Sequence, residues 1–230
     1  MACNIDCLDV KIDSKQNKTN VIEEADSMHF VFDLETTGLP AKKERGGFYP
    51  FRMTSKYNTA RIVSVSWIVL NSKLEEKHKM YYVIKPEGFD IPESSSKIHG
   101  ITHKEAVKTG KPMHTVLKEL ETHLTMCDTM VAHNINFDMN ILLSELYRQH
   151  QAQCIDHVFK MKRYCTMLHG QKHMQVKKFP KLSELYHYIT GDDISNAHNA
   201  LYDTEHCAMC YKALLGKAAP PPQPTTTSTA

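Results

Sequence analysis

The order of strand-like and helix-like segments constrains the fold of this chain more than any other feature. Three early segments have the composition and alternation of strands, at 28–33, 61–70 and 78–85;. The break at 71–73 between the second and third is typical of a hairpin turn;. From 112 onwards, helical patterns alternate with short strand-like runs. This order predicts the α/β class, with a mixed sheet whose first hairpin is antiparallel.

The later segments follow from the spacing of their apolar residues. Apolar side chains recur at helical spacing in four stretches, which predicts helices over 112–125, 137–149, 181–189 and 200–215;. Gly191 is a suitable end for the third of them;. Short apolar runs predict further strands over 129–132 and 163–167;.

Length and composition indicate one folded domain with flanking polar segments. The chain has 230 residues, of which 41% are hydrophobic and 23% charged, as in ordinary globular domains;. We expect a domain over 27–217 and a disordered Pro/Thr-rich tail over 218–230;. The polar N-terminal arm over 1–26 is compatible with either a flexible segment or an edge strand. The net charge of +2 says little about partners;.

The odd number of cysteines, seven, favours free thiols in a reducing compartment;. Residues 1–10 lack the pattern of a signal peptide, and no apolar run reaches the length of a membrane span;. We therefore expect a cytoplasmic or nuclear protein with no membrane partner.

Asp33 and Glu35 lie two residues apart at the end of the first strand-like segment. Residues i and i+2 of a strand project from one face, where two carboxylates repel each other unless a cation lies between them. The spacing alone is weak evidence, because Asp203 and Glu205 repeat it in a predicted helix, where the side chains diverge;. Taken alone, a solvated strand end explains the first pair better.

Asp138 opens the predicted helix 137–149 but lies off the apolar stripe of that helix. An acid in the first turn of a helix interacts favourably with the helix dipole, and this accounts for Asp138 without any further role.

Asp203 shares the stripe of Cys207, Cys210 and Leu214 in the last predicted helix. An ionised carboxylate on a core-facing stripe needs a cation, a basic partner or capped backbone N–H groups. His198 lies five residues before it and could reach the same cavity from the helix entrance. Together with the other acids, these residues would form a set of hard oxygen ligands and a base, which suits two-metal phosphodiester hydrolysis.

Other motifs point away from competing chemistries. His206, Cys207 and Cys210 resemble one half of a zinc-binding motif;. Cys207 and Cys210 fit the apolar stripe, however, and are better explained as core thiols. The chain has neither a phosphate-binding loop followed by Lys-Ser/Thr nor a Gly-x-Ser-x-Gly elbow;. A nucleoside triphosphatase and a serine hydrolase are therefore disfavoured.

The segment 41–59 combines basic and aromatic residues with a single acid, Glu44. Such a mixture suits a single nucleic-acid strand, through phosphate pairing and base stacking. A solvated loop whose aromatic side chains pack on the body of the protein explains the composition equally well. Its basic and aromatic members are Lys42, Lys43, Arg45, Arg52, Lys56, Phe48, Tyr49, Phe51 and Tyr57.

Four segments carry a family resemblance. Residues 32–40 read Phe-Asp-Leu-Glu-Thr-Thr-Gly-Leu-Pro, residues 131–138 read Val-Ala-His-Asn-Ile-Asn-Phe-Asp, and residues 198–203 read His-Asn-Ala-Leu-Tyr-Asp. They resemble the three motifs of the DEDDh-type 3′→5′ exonucleases, the group of the polymerase proofreading subunit and RNase T. Ile-His-Gly-Ile-Thr at 98–102 is similar to a segment of the proofreading-type members. The resemblance covers about 28–215.

The resemblance implies a ribonuclease-H-like fold with a mixed five-stranded sheet flanked by helices. It implies 3′→5′ hydrolysis of single-stranded or frayed nucleic acid to 5′-mononucleotides with two Mg²⁺ or Mn²⁺ ions. Asp33, Glu35 and Asp203 would hold one metal, Asp33 and Asp138 would serve the second, and His198 would be the general base. The residues expected to hold the terminal nucleotides are Thr36, Thr37, Leu39, His99, Asn134 and Phe137.

The resemblance leaves the substrate and the partners open. The connection from 39 to 61 is much longer than in most members and is similar to insertions of some viral and eukaryotic ones. The choice between DNA and RNA, and between proofreading and processing, therefore does not transfer. Single-stranded 3′ ends are the expected partner, with a polymerase or a second copy of the chain as further candidates. The alternative function is a catalytically silent module that binds 3′ ends.

Overall fold

The structure is a computed structural model that describes residues 27–194 and 198–216. The predicted arm at 1–26 and the predicted tail at 218–230 lie outside the described residues. Both of these assignments therefore stay predictions, as does the boundary of the predicted domain.

One mixed sheet organises the described part of the chain. Its strands are β1 (His29–Thr36), β2 (Ile62–Leu70), β3 (Glu76–Val83), β4 (Thr129–Ala132) and β5 (Lys162–Cys165). They lie in the order β3-β2-β1-β4-β5. The pairs β1–β2 and β2–β3 are antiparallel, whereas β1–β4 and β4–β5 are parallel. The predicted mixed five-stranded sheet, with its antiparallel first hairpin, is confirmed.

Eight α-helices flank the sheet within the described residues, together with a short 3₁₀ turn at Thr54–Tyr57. The helices are α1 (Glu93–His99), α2 (His103–Thr109), α3 (Met113–Leu124), α4 (Ile135–Arg148), α5 (Ala152–Lys160), α6 (Thr166–Met174), α7 (Leu182–Thr190) and α8 (Ala200–Leu214). The four predicted helices correspond to α3, α4, α7 and α8. The other four helices, α1, α2, α5 and α6, were not predicted from the spacing of apolar residues.

Three predicted strands have wrong ends. The strand predicted over 78–85 is β3, which runs from Glu76 to Val83. The first strand does not stop at 33, because Glu35 still pairs with Ser64 and Thr36 with Ile62 in the β1–β2 ladder. The strand predicted over 163–167 stops at Cys165, because Thr166 already begins α6. The extension of β1 matters for function, since it keeps both Asp33 and Glu35 inside a regular strand.

Alternation along β1 assigns its side chains to two cores. Phe30, Phe32 and Leu34 enter the larger core, which also contains side chains of α3 and α4. Val31 enters the smaller core together with Tyr211 of α8. Each buried side chain of this size contributes about 1.5–3 kcal/mol. Because successive residues of a strand face opposite ways, Asp33 and Glu35 share the face of Val31, on which α8 packs;.

The cysteines of α8 contribute to the same packing. Cys207 and Cys210 are 1% and 0% exposed, and Cys207 packs in the smaller core. Burial raises the pKa of the Cys210 thiol to about 12. These positions support their interpretation as core thiols.

Among the helices of the described residues, none has the length and apolar character needed to cross a bilayer.

Candidate active site

The carboxyl end of β1 carries the first two acids of the candidate site. Asp33 lies opposite Ser66 and Glu35 opposite Ser64 in the ladder with β2. Both acids belong to the strand proper, so their side chains project from the same face;. The register shifts between Glu35 and Thr36, just before the last pair of the ladder, Thr36 with Ile62;.

Asp138 reaches the same end of the sheet from β4. The parallel pairing of β1 with β4 places their carboxyl ends side by side, and α4 starts three residues after β4 ends. Asp138 lies in the first turn of α4 and is only 3% exposed. An acid that merely interacts with a helix dipole has no reason to be buried. The explanation by the helix dipole alone is therefore insufficient for Asp138.

Asp203 and His198 are positioned at the start of α8. The side chain of Asn199 caps this helix by accepting the N–H of Leu201 at 3.0 Å. The backbone N–H of His198 donates to Oδ2 of Asp203 at 3.0 Å, with His198 in the left-handed region at φ 65°. This bond joins the two residues directly. The side chain of His198 is exposed, and that of Asp203 is partly buried.

The four carboxylates are close enough to affect one another strongly. Burial, followed by the charges of Asp138, Asp203 and Glu35, raises the pKa of Asp33 well above its usual range. Burial and the charge of Asp203 raise the pKa of Glu35 to about 7. Burial is also the main cause that raises the pKa of Asp138 and of Asp203. The fold thus holds four acids together at a cost in free energy.

The donor set at this place suits a divalent cation. Ligand atoms of Glu35, His198 and Asp203 lie within 4.8 Å of one another. Carboxylate oxygens are the ligands that Mg²⁺ and Mn²⁺ prefer, and a cation among them would relieve the mutual repulsion of the acids. We call Asp33, Glu35, Asp138, His198 and Asp203 together the acidic site.

A stability measurement can test this repulsion. Because these pKa values are raised, the folded protein without metal binds protons more tightly than the unfolded chain does. Its free energy of unfolding therefore falls as the pH rises towards about 7, the pKa of Glu35;. At neutral pH, Asp138→Asn should therefore raise the free energy of unfolding in EDTA by on the order of 1 kcal/mol. It should also weaken the stabilisation by added Mg²⁺. Urea denaturation with and without Mg²⁺ measures both effects.

Asp128→Asn is the matched control, with the opposite expected sign. Burial opposes ionisation of Asp128, but hydrogen bonds from Thr129 and Ser27 outweigh it and lower the pKa of this carboxyl. This variant should be less stable than the wild type, with an unchanged response to Mg²⁺. A loss of stability in EDTA for Asp138→Asn at neutral pH would show that the acids do not repel one another as described.

The turn after β1 holds three of the expected nucleotide-binding residues. The hydroxyl of Thr36 donates to the carbonyl of Gly38 at 2.8 Å. Thr37 is buried and exchanges hydrogen bonds with the backbone of Arg61, donating its N–H to the carbonyl and accepting the N–H at its hydroxyl, both at 2.9 Å. These contacts fix the turn. Leu39 is 66% exposed and is therefore accessible to a ligand.

Gly38 is required by the same turn. Its φ is 155°, and a Cβ at this position would lie 3.0 Å from the carbonyl oxygen of Thr59. The backbone of the returning segment therefore passes against Gly38, which brings residues 41–59 next to the acidic site.

The remaining expected nucleotide-binding residues have different environments. His99 ends α1 and is 6% exposed; its Nδ1 accepts the N–H of Ile101, and its Nε2 is buried without a hydrogen-bond partner. Asn134 is exposed in the left-handed region at φ 67°, directly before α4. Phe137 packs partly against the larger core. Asn134 and Phe137 precede Asp138 by four residues and by one residue along the chain.

Sequence reasoning missed a buried ion pair beside the site. The guanidinium of Arg61 pairs with Glu145 of α4, whose side chain is 2% exposed, and covers the ring of Phe89 at 4.4 Å. Because Arg61 also binds the backbone of Thr37, this pair connects the turn after β1 with the helix that carries Asp138. Glu145 is a charged residue within an apolar run, and this was the signal for a buried partner;.

His133, in the second motif, has a structural role. Its Nε2 lies 3.0 Å from the carbonyl oxygen of Pro180, and its Nδ1 lies 3.0 Å from the hydroxyl of Thr166. Burial lowers the pKa of His133 to about 4, so the ring stays neutral at neutral pH. The side chain ties the end of β4 to α6 and to the segment before α7.

Tyr81 of β3 also lies beside the acids. It continues the row of Asp33 and Ser66 across the sheet. Burial is the main cause that raises its pKa, and the charge of nearby Glu35 adds to the effect. A sequence without known strand register gives no signal for this neighbour.

The fold defines the class of the protein, an α/β domain with the ribonuclease-H-like architecture and an acidic site at the carboxyl end of β1. The chain belongs to the exonuclease family, whose RNase_T model matches residues 30–211. The predicted family is thus confirmed. A search of the curated proteins found no matching relative.

Similar solved structures include exonuclease I of E. coli in several complexes. The complex with a dT13 oligonucleotide matches with a TM-score of 0.62 and 19% identity, over 84% of this chain and 41% of that one. The complex with a dA16 oligonucleotide gives 0.64 and 18%, over 83% and 41%. The zinc-bound complex with single-stranded DNA gives 0.62 and 20%, over 83% and 40%. These matches confirm the fold, and this chain spans about two fifths of the length of exonuclease I.

Proposed function

We propose that this protein is a metal-dependent 3′→5′ exonuclease that releases 5′-mononucleotides from single-stranded or frayed 3′ ends. The observation that carries the proposal is the convergence of four acids and His198 at the carboxyl end of β1. Membership of the exonuclease family supports it. The structural similarity to exonuclease I, which was solved with bound oligonucleotides, is consistent with it.

The acids would hold two divalent cations, Mg²⁺ or Mn²⁺. Asp33, Glu35 and Asp203 would bind one, and Asp33 with Asp138 would serve the other. Bound there, such cations supply Lewis acidity toward the phosphate and lower the pKa of a bound water. The carboxylates offset most of the cationic charge and leave enough to attract a phosphate.

His198 would accept the proton of the attacking water. Its backbone N–H donates to Asp203, a ring nitrogen lies within 4.8 Å of carboxylate oxygens of Glu35 and Asp203, and its exposure to solvent lets it pass the proton on;. Its ring nitrogens are close enough to Glu35 and Asp203 for a ligand role as well. We assign it the role of base, because a neutral imidazole accepts a proton and can pass it to solvent at each turnover.

The terminal nucleotide would lie over the acidic site. Leu39 and Asn134 are exposed on the segments that follow β1 and β4, and the ring of Phe137 in α4 lies 6.5 Å from that of Phe48. The buried Nε2 of His99 still has a free hydrogen-bonding position. The substrate strand is the partner proposed here, and a polymerase or a second copy of the chain stays a prediction from the resemblance.

Polarity of digestion tests the proposal. A 5′-labelled single-stranded oligonucleotide should shorten one nucleotide at a time in Mg²⁺, and its labelled mononucleotide should appear last. A circular single strand of the same sequence is the matched control and should remain intact. Early release of the labelled 5′ nucleotide, or cutting of the circle, would contradict the proposed direction or the exonuclease mode.

A further inference from the structure

Residues 41–59 form an insertion whose base is fixed to the body of the protein. Phe51 and Tyr57 are 2% and 1% exposed, and both belong to the larger core. The guanidinium of Arg148 in α4 donates to the carbonyl of Thr54 and, at 2.7 Å, to Oδ1 of Asn58. The insertion is therefore anchored on the helix that carries Asp138.

Two of the four aromatic residues of the insertion are used in this anchoring. Phe51 packs against Tyr147 and Phe159, with ring centroids 6.0 and 5.8 Å away, and the hydroxyl of Tyr57 donates to the carbonyl of Tyr49. For Phe51 and Tyr57, the alternative in which aromatic side chains pack on the body is correct. These two rings are not available to stack on bases.

The tip of the insertion is a small hairpin. Lys42 forms an antiparallel bridge with Phe48, and the N–H of Gly46 donates to the carbonyl of Lys43 at 2.9 Å. Gly46 and Gly47 have φ values of 83° and 81°, which glycine adopts without the strain that a side chain would bring;. We call residues 42–48 the basic hairpin.

The cations of the basic hairpin are unpaired. Lys42, Lys43 and Arg45 are exposed, and in the part of the chain that the structure describes they make no ion pair and cover no aromatic ring. Arg52 and Lys56, by contrast, lie over the rings of Phe51 and Tyr49 at 5.1 and 4.8 Å. The hairpin thus presents three cations to solvent beside one acid, Glu44.

The basic hairpin lies next to the acidic site. The ring of Phe48 is 6.5 Å from that of Phe137, the residue before Asp138. The chain that enters the hairpin leaves β1 only a few residues after Glu35. A strand whose 3′ end reached the acids would therefore carry its upstream phosphates within range of these cations.

We propose that Lys42, Lys43 and Arg45 bind phosphates of the substrate strand upstream of the nucleotide that is removed. This inference rests on the proposed function, since it assumes that a strand end reaches the acidic site. Charge decides the type of contact, because phosphates carry the charge complementary to these three cations, and Phe51 and Tyr57 of the insertion are buried in the core. Binding at the hairpin is therefore independent of base identity and weakens with salt.

Salt dependence of binding tests the inference. The variant K42Q/K43Q/R45Q is compared with K73Q/K160Q/K162Q, which removes three exposed cations at the opposite end of the sheet. The probe is a fluorescent single-stranded oligonucleotide, bound in EDTA and followed by anisotropy. Each lost phosphate contact reduces the magnitude of the slope of log affinity against log salt concentration by about 0.7. The slope of the hairpin variant should therefore be smaller in magnitude by about 2. The control variant should keep the wild-type slope, and K42R/K43R should keep it too.

The outcomes separate this inference from the proposed function. An unchanged slope in the hairpin variant, or an equal loss in the control variant, would overturn the inference. The function is tested separately with the wild-type protein, by hydrolysis of the nitrophenyl ester of thymidine 5′-monophosphate. This substrate is too short to reach the hairpin. A reduced slope with no ester hydrolysis would support the hairpin and contradict the catalytic proposal.

Discussion

Asp203→Asn should abolish release of mononucleotides in Mg²⁺ while the protein remains folded. The carboxylate is partly buried, and its charge acts on both Asp33 and Glu35. Loss of a metal ligand removes several kcal/mol of transition-state stabilisation. At about 1.4 kcal/mol for each factor of ten, the rate should fall by about a thousandfold or more. Digestion of a 3′-labelled oligonucleotide, with thermal unfolding followed in parallel, measures rate and fold together.

The isosteric amide should preserve the local structure. The N–H of His198 donates to Oδ2 of Asp203 at 3.0 Å, and an amide oxygen can accept the same bond;. The matched control is Glu205→Gln in the same helix, where Glu205 pairs with Lys79 at the surface at 2.9 Å. Because such pairs contribute little, its activity should stay near that of the wild type. Wild-type digestion by Asp203→Asn would remove Asp203 from the metal site.

His198→Ala should slow turnover far more than it weakens binding. Loss of a general base costs about 10²–10⁴-fold in rate. The imidazole is exposed, and its loss leaves the four acids in place, so KM and the Mg²⁺ concentration for half-maximal activity should change little. Steady-state kinetics over a range of Mg²⁺ concentrations measure all three quantities. His114→Ala, an exposed histidine of α3, is the control and should behave as the wild type.

Two other results would change the role of His198. Unchanged kinetics would exclude it as the base. A rate restored by high Mg²⁺ would identify it as a metal ligand, which its proximity to Glu35 and Asp203 within 4.8 Å also permits.

The parts of the fold with strong patterns were predictable from the sequence. The β-branched and aromatic residues of β2, interrupted by Ser64 and Ser66, and the five buried apolar residues of α3 are signals that the fold reproduces. The missed helices lack such signals. In α1 the buried residues are Ser95 and His99, neither of which contributes to an apolar stripe. In α6 the buried glycine, Gly170, serves close packing, since a Cβ there would lie 2.8 Å from Leu185.

The candidate site was predictable in its residues but not in its surroundings. Strand geometry and the stripe of α8 pointed to Asp33, Glu35 and Asp203, whereas Asp138 needed the family resemblance. The burial of Asp138 follows from the parallel pairing of β1 with β4, which no local pattern encodes. The same is true of the pair between Arg61 and Glu145, which are 84 residues apart in the chain.

The role of the aromatic residues in the insertion 41–59 was likewise not predictable from the sequence. Its composition did not separate base stacking from packing on the body, because both use the same residue types. The structure separates them by burial: Phe51 and Tyr57 enter the core, while Lys42, Lys43 and Arg45 remain exposed.

Release of mononucleotides from a single-stranded oligonucleotide, with Mg²⁺ and then with EDTA, tests the central claim most directly. We predict 5′-mononucleotides in Mg²⁺, no release in EDTA, and recovery when Mg²⁺ or Mn²⁺ is added back. Binding of the 3′ end in Mg²⁺ without any release would identify a catalytically silent module. Equal release in EDTA would contradict the assignment of Asp33, Glu35, Asp138 and Asp203 as ligands of catalytic metal ions.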